Sequence, residues 1–274
     1  MSLAAIGNGD EPVGLRAWLS GLRIQMRVMY ALMIRELMTH YGRNNIGFLW
    51  MVLEPMILCA GVLCLRWFIQ GHEEHGISLV AIVISGYMPL TLWRHLTNKS
   101  VYLVRRNVGM LYHRRVTIMD AYLTTMVREF IGCTIAFAVN YGAVVALGLL
   151  DPIQDYGYVV AGWCTMAFLA MGVGAAIAVL TEFYETAERF IQPLQYLILP
   201  ICGFFFMVDW LPDAAQRLAW WMPMIHCFEM VRAGFFADSV QTHFTPAYPL
   251  TFALILLSIF LPLLDKARDH AHTG

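Results

Sequence analysis

Glu54, His95, Glu129 and His226 are the side chains best placed to do chemistry in this sequence, because each falls in or beside an apolar run. A carboxylate or imidazole there can move a proton, and its cost in hydrocarbon obliges it to face protein or water. Glu54, followed by Pro55, stands about six residues into its run, roughly 9 Å along a helix. No spacing joins the four into an active site. The sequence has no GxxxxGK[ST] phosphate loop; its only lysines, Lys99 and Lys266, follow no such glycine pattern, so nucleotide hydrolysis is not expected on this chain. There is no GxSxG elbow, and His72-Glu73-Glu74-His75 spaces its histidines three apart where HExxH needs four, so it reads as an exposed loop. The six cysteines show neither CxxC spacing nor a clustered framework and read as small buried hydrophobes; no metal site is expected.

Aromatic and basic residues offer a second kind of chemistry. Phe204, Phe205, Phe206, Trp210, Trp220 and Trp221 are close in sequence. Any one of them is explained by the aromatic belt at a membrane surface, but together they offer flat apolar faces over which sugar rings could slide. Conduction needs such weak, repeated contacts. Arg23, Arg27, Arg35 and Arg43, with Glu54 beyond them, could attract an anionic headgroup at an entrance, and interface anchoring explains the arginines almost as well.

The elements that must position these residues follow from composition. Of the 274 residues 59% are hydrophobic and 14% charged, against about 25% charged in soluble domains, which makes this a polytopic membrane protein of all-α class. A net charge of -1 and the lack of any lysine-rich tract give no support for nucleic-acid binding. Leu15 to Met38, with arginines between large apolar residues, reads as a helix in the membrane interface, so residues 1–47 form a cytosolic N-terminus and interfacial helix. Met1 to Pro12 is polar and acidic, without a signal-peptide pattern, and the chain is expected to start in the cytosol. Apolar runs predict six spans over 48–69, 79–96, 121–150, 158–180, 190–208 and 248–264, with a cytosolic tail at 265–274. Ala170, Gly174 and Ala178 in the fourth allow close helix packing. Residues 209–236 are too interrupted by Pro212, Pro223 and charge to span. They read as two short helices with a bend at Pro223, capped at the first by Asp213, lying at one membrane face. Placing both termini in the cytosol leaves only Arg66, Arg217 and Arg232 of the 18 basic residues on the far side, as the positive-inside rule favours. The basic loop at 99–115 then lies inside, and an amphipathic helix around Val104 to Tyr112 could dock in a groove of a soluble partner.

Taken in order, Arg35-Glu36 ahead of YGRNNIGFLW, Glu54-Pro55, the loop RRNVGMLYHRR and a closing LP…W-x-P…E-x-x-R hairpin resemble the type-2 permeases of ATP-binding-cassette exporters. The chain is most similar among these to the inner-membrane permease of group 2 capsular polysaccharide export. The resemblance spans Leu15 to Leu264, and it implies a homodimer in the bacterial inner membrane bound to two copies of a separate ATPase. ATP and Mg would sit on that partner, with no cofactor on this chain, and a lipid-linked polysaccharide would move from cytosol to periplasm. It also leaves room for periplasmic and outer-membrane export proteins. Arg105, Arg106, Asn107, Met110 and Leu111 would match the coupling helix. The hairpin would match the periplasmic gate, and the first and fifth spans, with Trp50 in the first, would line the conduit.

Other readings stay open at this stage. O-antigen and teichoic acid permeases share the layout, and a small-molecule exporter would need no long aromatic conduit. An intramembrane glycan or lipid transferase would need Glu54, Glu129 and histidines to face one cavity. A proton-coupled carrier would normally show internal repeats, which are not found here.

Overall fold

A chain this apolar must satisfy its backbone within each segment, and helices do so. The computed structural model describes residues 27, 30, 46–70, 73–74, 77–106, 117–237 and 240–271. Its main helices are α1 (Ile46–Gln70), α2 (Leu79–Ser100), α3 (Ile118–Ala146), α4 (Tyr156–Phe183), α5 (Glu185–Ile198), α6 (Asp213–Ala219), α7 (Pro223–Phe236) and α8 (Ala247–Ala271). A two-residue antiparallel pair, Glu73–Glu74 with Ile77–Ser78, closes the turn between α1 and α2. Among the described residues four helices are long and apolar enough to cross a membrane: α2, α3, α4 and the Ala247–Leu264 part of α8. α1 is 25 residues long, with an apolar stretch at Met56–Leu65.

Local sequence sets the helix starts. Thr117 and Asp120 form a reciprocal capping box at α3, each side chain accepting the other's backbone N–H at 3.1 Å. Asp155 caps α4 by accepting from Gly157 and Tyr158. α6 departs from expectation, since Asp213 is already helical, Pro212 is the capping residue, and no side-chain cap bond forms. The Asp213 carboxylate can favour that helix end only through its charge.

α4 lies at the centre and packs against α8, α7 and α2, while α3 packs on α2 and α1. Glycines make the approach close. A β-carbon at Gly162 would stand 2.8 Å from Val231 Cγ2 of α7, and one at Gly174 would stand 2.5 Å from Ser100 Oγ of α2. Ala170 and Ala178 are fully buried beside Gly174. α2 is buried almost throughout, whereas α3 exposes Val127, Ile131, Ile135 and Val139 as a stripe one turn apart. The outer face of α8 exposes Phe252, Leu254, Ile255 and Ile259. Such stripes suit contact with lipid.

The expected spans meet these helices unevenly. The third, 121–150, stops being helical at Ala146, and Gly148 turns the chain at φ +69°. The fifth, 190–208, is not one helix, because α5 ends at Ile198 and residues 199–207 run as turns. Pro200 has no N–H to continue the helical hydrogen bonds, and Gly203 adopts φ +91°. In the sixth, helix continues through the expected tail to Ala271. Most of the expected interfacial helix lies outside the described residues; Arg27 and Tyr30 within it are helical and exposed.

Candidate functional site

The turn after α5 is held from inside by α7. Arg232, fully buried, donates through Nη2 to Phe204 O at 2.9 Å and through Nη1 to Phe206 O. Glu229, one turn earlier, accepts from Val208 N at 3.2 Å and His243 N at 3.1 Å and pairs with Arg232 at 3.7 Å. Two adjacent charged residues thus fix the chain on either side of α6 and α7, and the buried charges are matched by backbone partners. His226, on the same helix, accepts at Nδ1 from Thr245 N at 3.2 Å, so its Nε2–H donates to Trp220 O at 3.1 Å. Burial lowers its pKa and keeps it neutral. The quoted E-x-x-R pattern therefore has a structural role, visible only once residues 204–208 are seen to pass beside it.

The expected aromatic wall divides. Phe204 is buried, its ring 6.1 Å from Tyr87 and 4.3 Å from Phe205, and Gly86 leaves room for it. Phe205 is exposed, while Phe206 and Trp210 are half-buried. Trp220 is partly exposed with its ring edge-to-face on His226, and Trp221 is 77% exposed. Trp50 is in the helical part of α1, and nothing is described of its side chain.

Polar residues that sequence spacing did not single out gather along one face of α2. Tyr87, Thr91, Arg94, His95 and Asn98, together with Glu54 and Leu58 of α1, line a cavity of about 120 Å³. Behind it His95 Nδ1 meets Glu129 at 3.2 Å, and Arg128 holds the same carboxylate at 2.8 Å. Helix α5 closes on this face: Arg94 lies 5.4 Å from the centre of the Tyr196 ring, Gln192 donates to Asn98 and Gln195 to Thr97. Glu54, His95 and Glu129 are thereby brought to one place, and His226 is left in the hairpin. Their only sequence signal is polarity within apolar runs.

At the Ser100 end of α2, Tyr102 takes φ +53°, its N–H donates to Thr181 Oγ1 and its hydroxyl to Glu188. Arg105 pairs with Glu182 at 3.6 Å, and Arg106 donates to Lys99 O. The start of the basic loop is thus bolted to the turn between α4 and α5. Asn107, Met110 and Leu111, and Arg23, Arg35 and Arg43, lie outside the described residues, while Arg27 is exposed. No group of three or more metal-ligating side chains occurs among the described residues.

The model of the ABC-2 type transporter family matches residues 27–236. The chain is 37% identical over 251 residues to the capsule polysaccharide export inner-membrane protein CtrC of Neisseria meningitidis serogroup A, covering 91% of this chain and 94% of that one. It is 34% identical to BexB of Haemophilus influenzae, which carries the same description, over 89% of this chain and 92% of that one. The polysialic acid transport protein KpsM of Escherichia coli is 23% identical, over 92% and 97%. A family match across most of the sequence and relatives of nearly equal length agree with the long apolar helices, and the chain belongs to the ABC-2 type transporter family.

Proposed function

We propose that this chain is the permease subunit of an ATP-driven exporter that moves lipid-linked capsular polysaccharide from cytosol to periplasm. The observation that carries this reading is its similarity, along nearly the whole chain, to relatives named for capsule polysaccharide export. The absence of a phosphate loop fits a separate ATPase that binds ATP and Mg. In this reading two copies of the chain pair with two ATPase subunits in the inner membrane. Six crossings result if α1 and the α5 region join the four long apolar helices, with both termini in the cytosol.

The polar contacts suggest how force would travel. An ATPase that moves the 99–115 loop would pull on Tyr102 and Arg105, and through Glu188 and Glu182 on the turn that starts α5. α5 leads into the turn clamped by Arg232 and Glu229, so the gate hairpin would move with it as a unit. Phe205, Trp220 and Trp221 keep exposed aromatic surface for the glycan to pass.

Deleting the gene in its native host, with complementation, tests the export reading. The expected result is polysaccharide trapped inside the cell and absent from its surface; capsule at the surface at normal levels would overturn it. The cluster of Glu54, His95 and Glu129 favours a second reading, an intramembrane transferase. That reading requires partner-free protein to turn over glycan or lipid and to lose activity in Glu129→Gln.

A further inference from the structure

The cavity between α1 and α2 has a chemistry of its own. Tyr87, Thr91, Arg94, His95 and Asn98 follow helical spacing, so they form one polar stripe on a largely apolar and buried helix. Such a stripe in hydrocarbon is costly unless its members pair with protein groups, with water or with a polar guest. His95 is engaged with Glu129, which Arg128 also holds, so those charges are matched behind the wall. Glu54 and Arg94 face the space with opposite charge, which gives a bare anion no net attraction. Thr91 donates its hydroxyl proton to Tyr87 O at 2.9 Å, which leaves its oxygen as an acceptor. Asn98 accepts from Gln192 at Oδ1, which leaves its amide N–H groups as donors. The rim therefore mixes acceptors (Glu54, Thr91) with donors (Arg94, Asn98), with Tyr87 in its wall and the Tyr196 ring against Arg94.

Vicinal hydroxyls, each of which donates and accepts, complement such a rim, and tyrosine rings complement the apolar face of a pyranose. A cavity of about 120 Å³ is small, so it can take a single sugar unit and no longer stretch of chain. The cavity is walled by α1 and α2; Ile57 and Leu58 of α1 are exposed near it, as are Leu194, Tyr196 and Leu197 of α5, which packs on this face of α2. We propose that this cavity is a subsite for a single hydroxylated sugar ring, which reads the glycan one unit at a time through Glu54, Thr91, Arg94 and Asn98. The proposal rests on the export reading, in which α1 and α5 face the conduit. Contacts are few and half-exposed, as a site that must release each unit requires.

Saturation-transfer NMR suits weak binding of this kind. The full complex with its ATPase, in lipid nanodiscs, is mixed with oligosaccharides cleaved from the host's own surface polysaccharide. Wild type should show transfer to ring protons, and Thr91→Val and Glu54→Gln should each weaken apparent binding about five-fold, the loss of one hydrogen bond. Thr91→Ser, which keeps the hydroxyl, should bind as wild type does. Inorganic phosphate at equal concentration should leave the signal unchanged. Wild-type binding in Thr91→Val, or displacement of the oligosaccharide by phosphate, overturns the proposal. If wild type gives no transfer while gene deletion still removes surface polysaccharide, the subsite is wrong and the export reading stands. If deletion leaves surface polysaccharide intact, both fall.

Discussion

Arg232 shows how one residue can decide a local fold. Its guanidinium reaches two carbonyls in separate residues of the turn after α5 through two nitrogens held in a fixed planar fork, a geometry that the single nitrogen of lysine does not supply. Arg232→Met would leave Glu229 buried without its cation, and the expected loss is about 3–5 kcal/mol. The apparent Tm of the purified protein would measure it, and the double variant Arg232→Met with Glu229→Gln should lose less, because no charge is stranded. His226 makes a pH-dependent contribution. Burial lowers its folded pKa below the ordinary 6.5, so the fold favours the neutral ring. Its stabilisation is complete above about pH 6.5 and is lost as pH falls through the lowered value, when a proton on Nδ1 would displace the Thr245 N–H. Apparent Tm measured across that range should fall more steeply in wild type than in His226→Gln.

Elements succeed or fail through their packing. α4 meets α7 at Gly162, and Gly162→Leu would force its side chain into Val231. A loss of at least about 1–3 kcal/mol is expected, read as lower yield of folded protein and a lower apparent Tm. The junction of the basic loop with α4 and α5 makes a different prediction. Glu188→Gln and charge reversal at Arg105 should leave the protein inserted but reduce transport per ATP hydrolysed in the reconstituted complex. Unchanged transport per ATP in both would remove the junction from the coupling path. In the hairpin, Trp221→Ala with Trp220→Ala should impair export more than folding, since Trp221 is largely exposed and Trp220 keeps partly exposed ring surface. Export at the normal rate would reduce them to membrane anchors.

The whole molecule leaves apolar surface on α1 and α5 beside a polar cavity, an arrangement suited to an assembly larger than one chain. Purification in mild detergent should recover a cytosolic ATPase at one copy per copy of this chain, with a total mass near that of two of each. Recovery of this chain alone, still active on a glycan or lipid, would move attention to Glu54, His95 and Glu129.

Hydropathy by itself determined the membrane class, the helical class and most of the long helices, because apolar length and backbone satisfaction in lipid are local requirements. The order of motifs determined the family, and the lack of a phosphate loop pointed to a partner for ATP hydrolysis. Local signals also reached the close-packing residues Ala170, Gly174 and Ala178, while the capping box at Thr117 was seen only in the structure. They failed at 190–208, where counting apolar residues passed over the break after Ile198, and at Asp213, where the cap fell one residue earlier. Only the tertiary structure decided that Arg232 and Glu229 clamp residues 204–208, and that Tyr102 and Arg105 meet Glu188 and Glu182. It alone gathered Glu54, Thr91, Arg94 and Asn98 around one cavity. Those partners are separated by tens of residues, and a side chain's preference for a polar neighbour does not specify which distant segment supplies it; packing around α4 does.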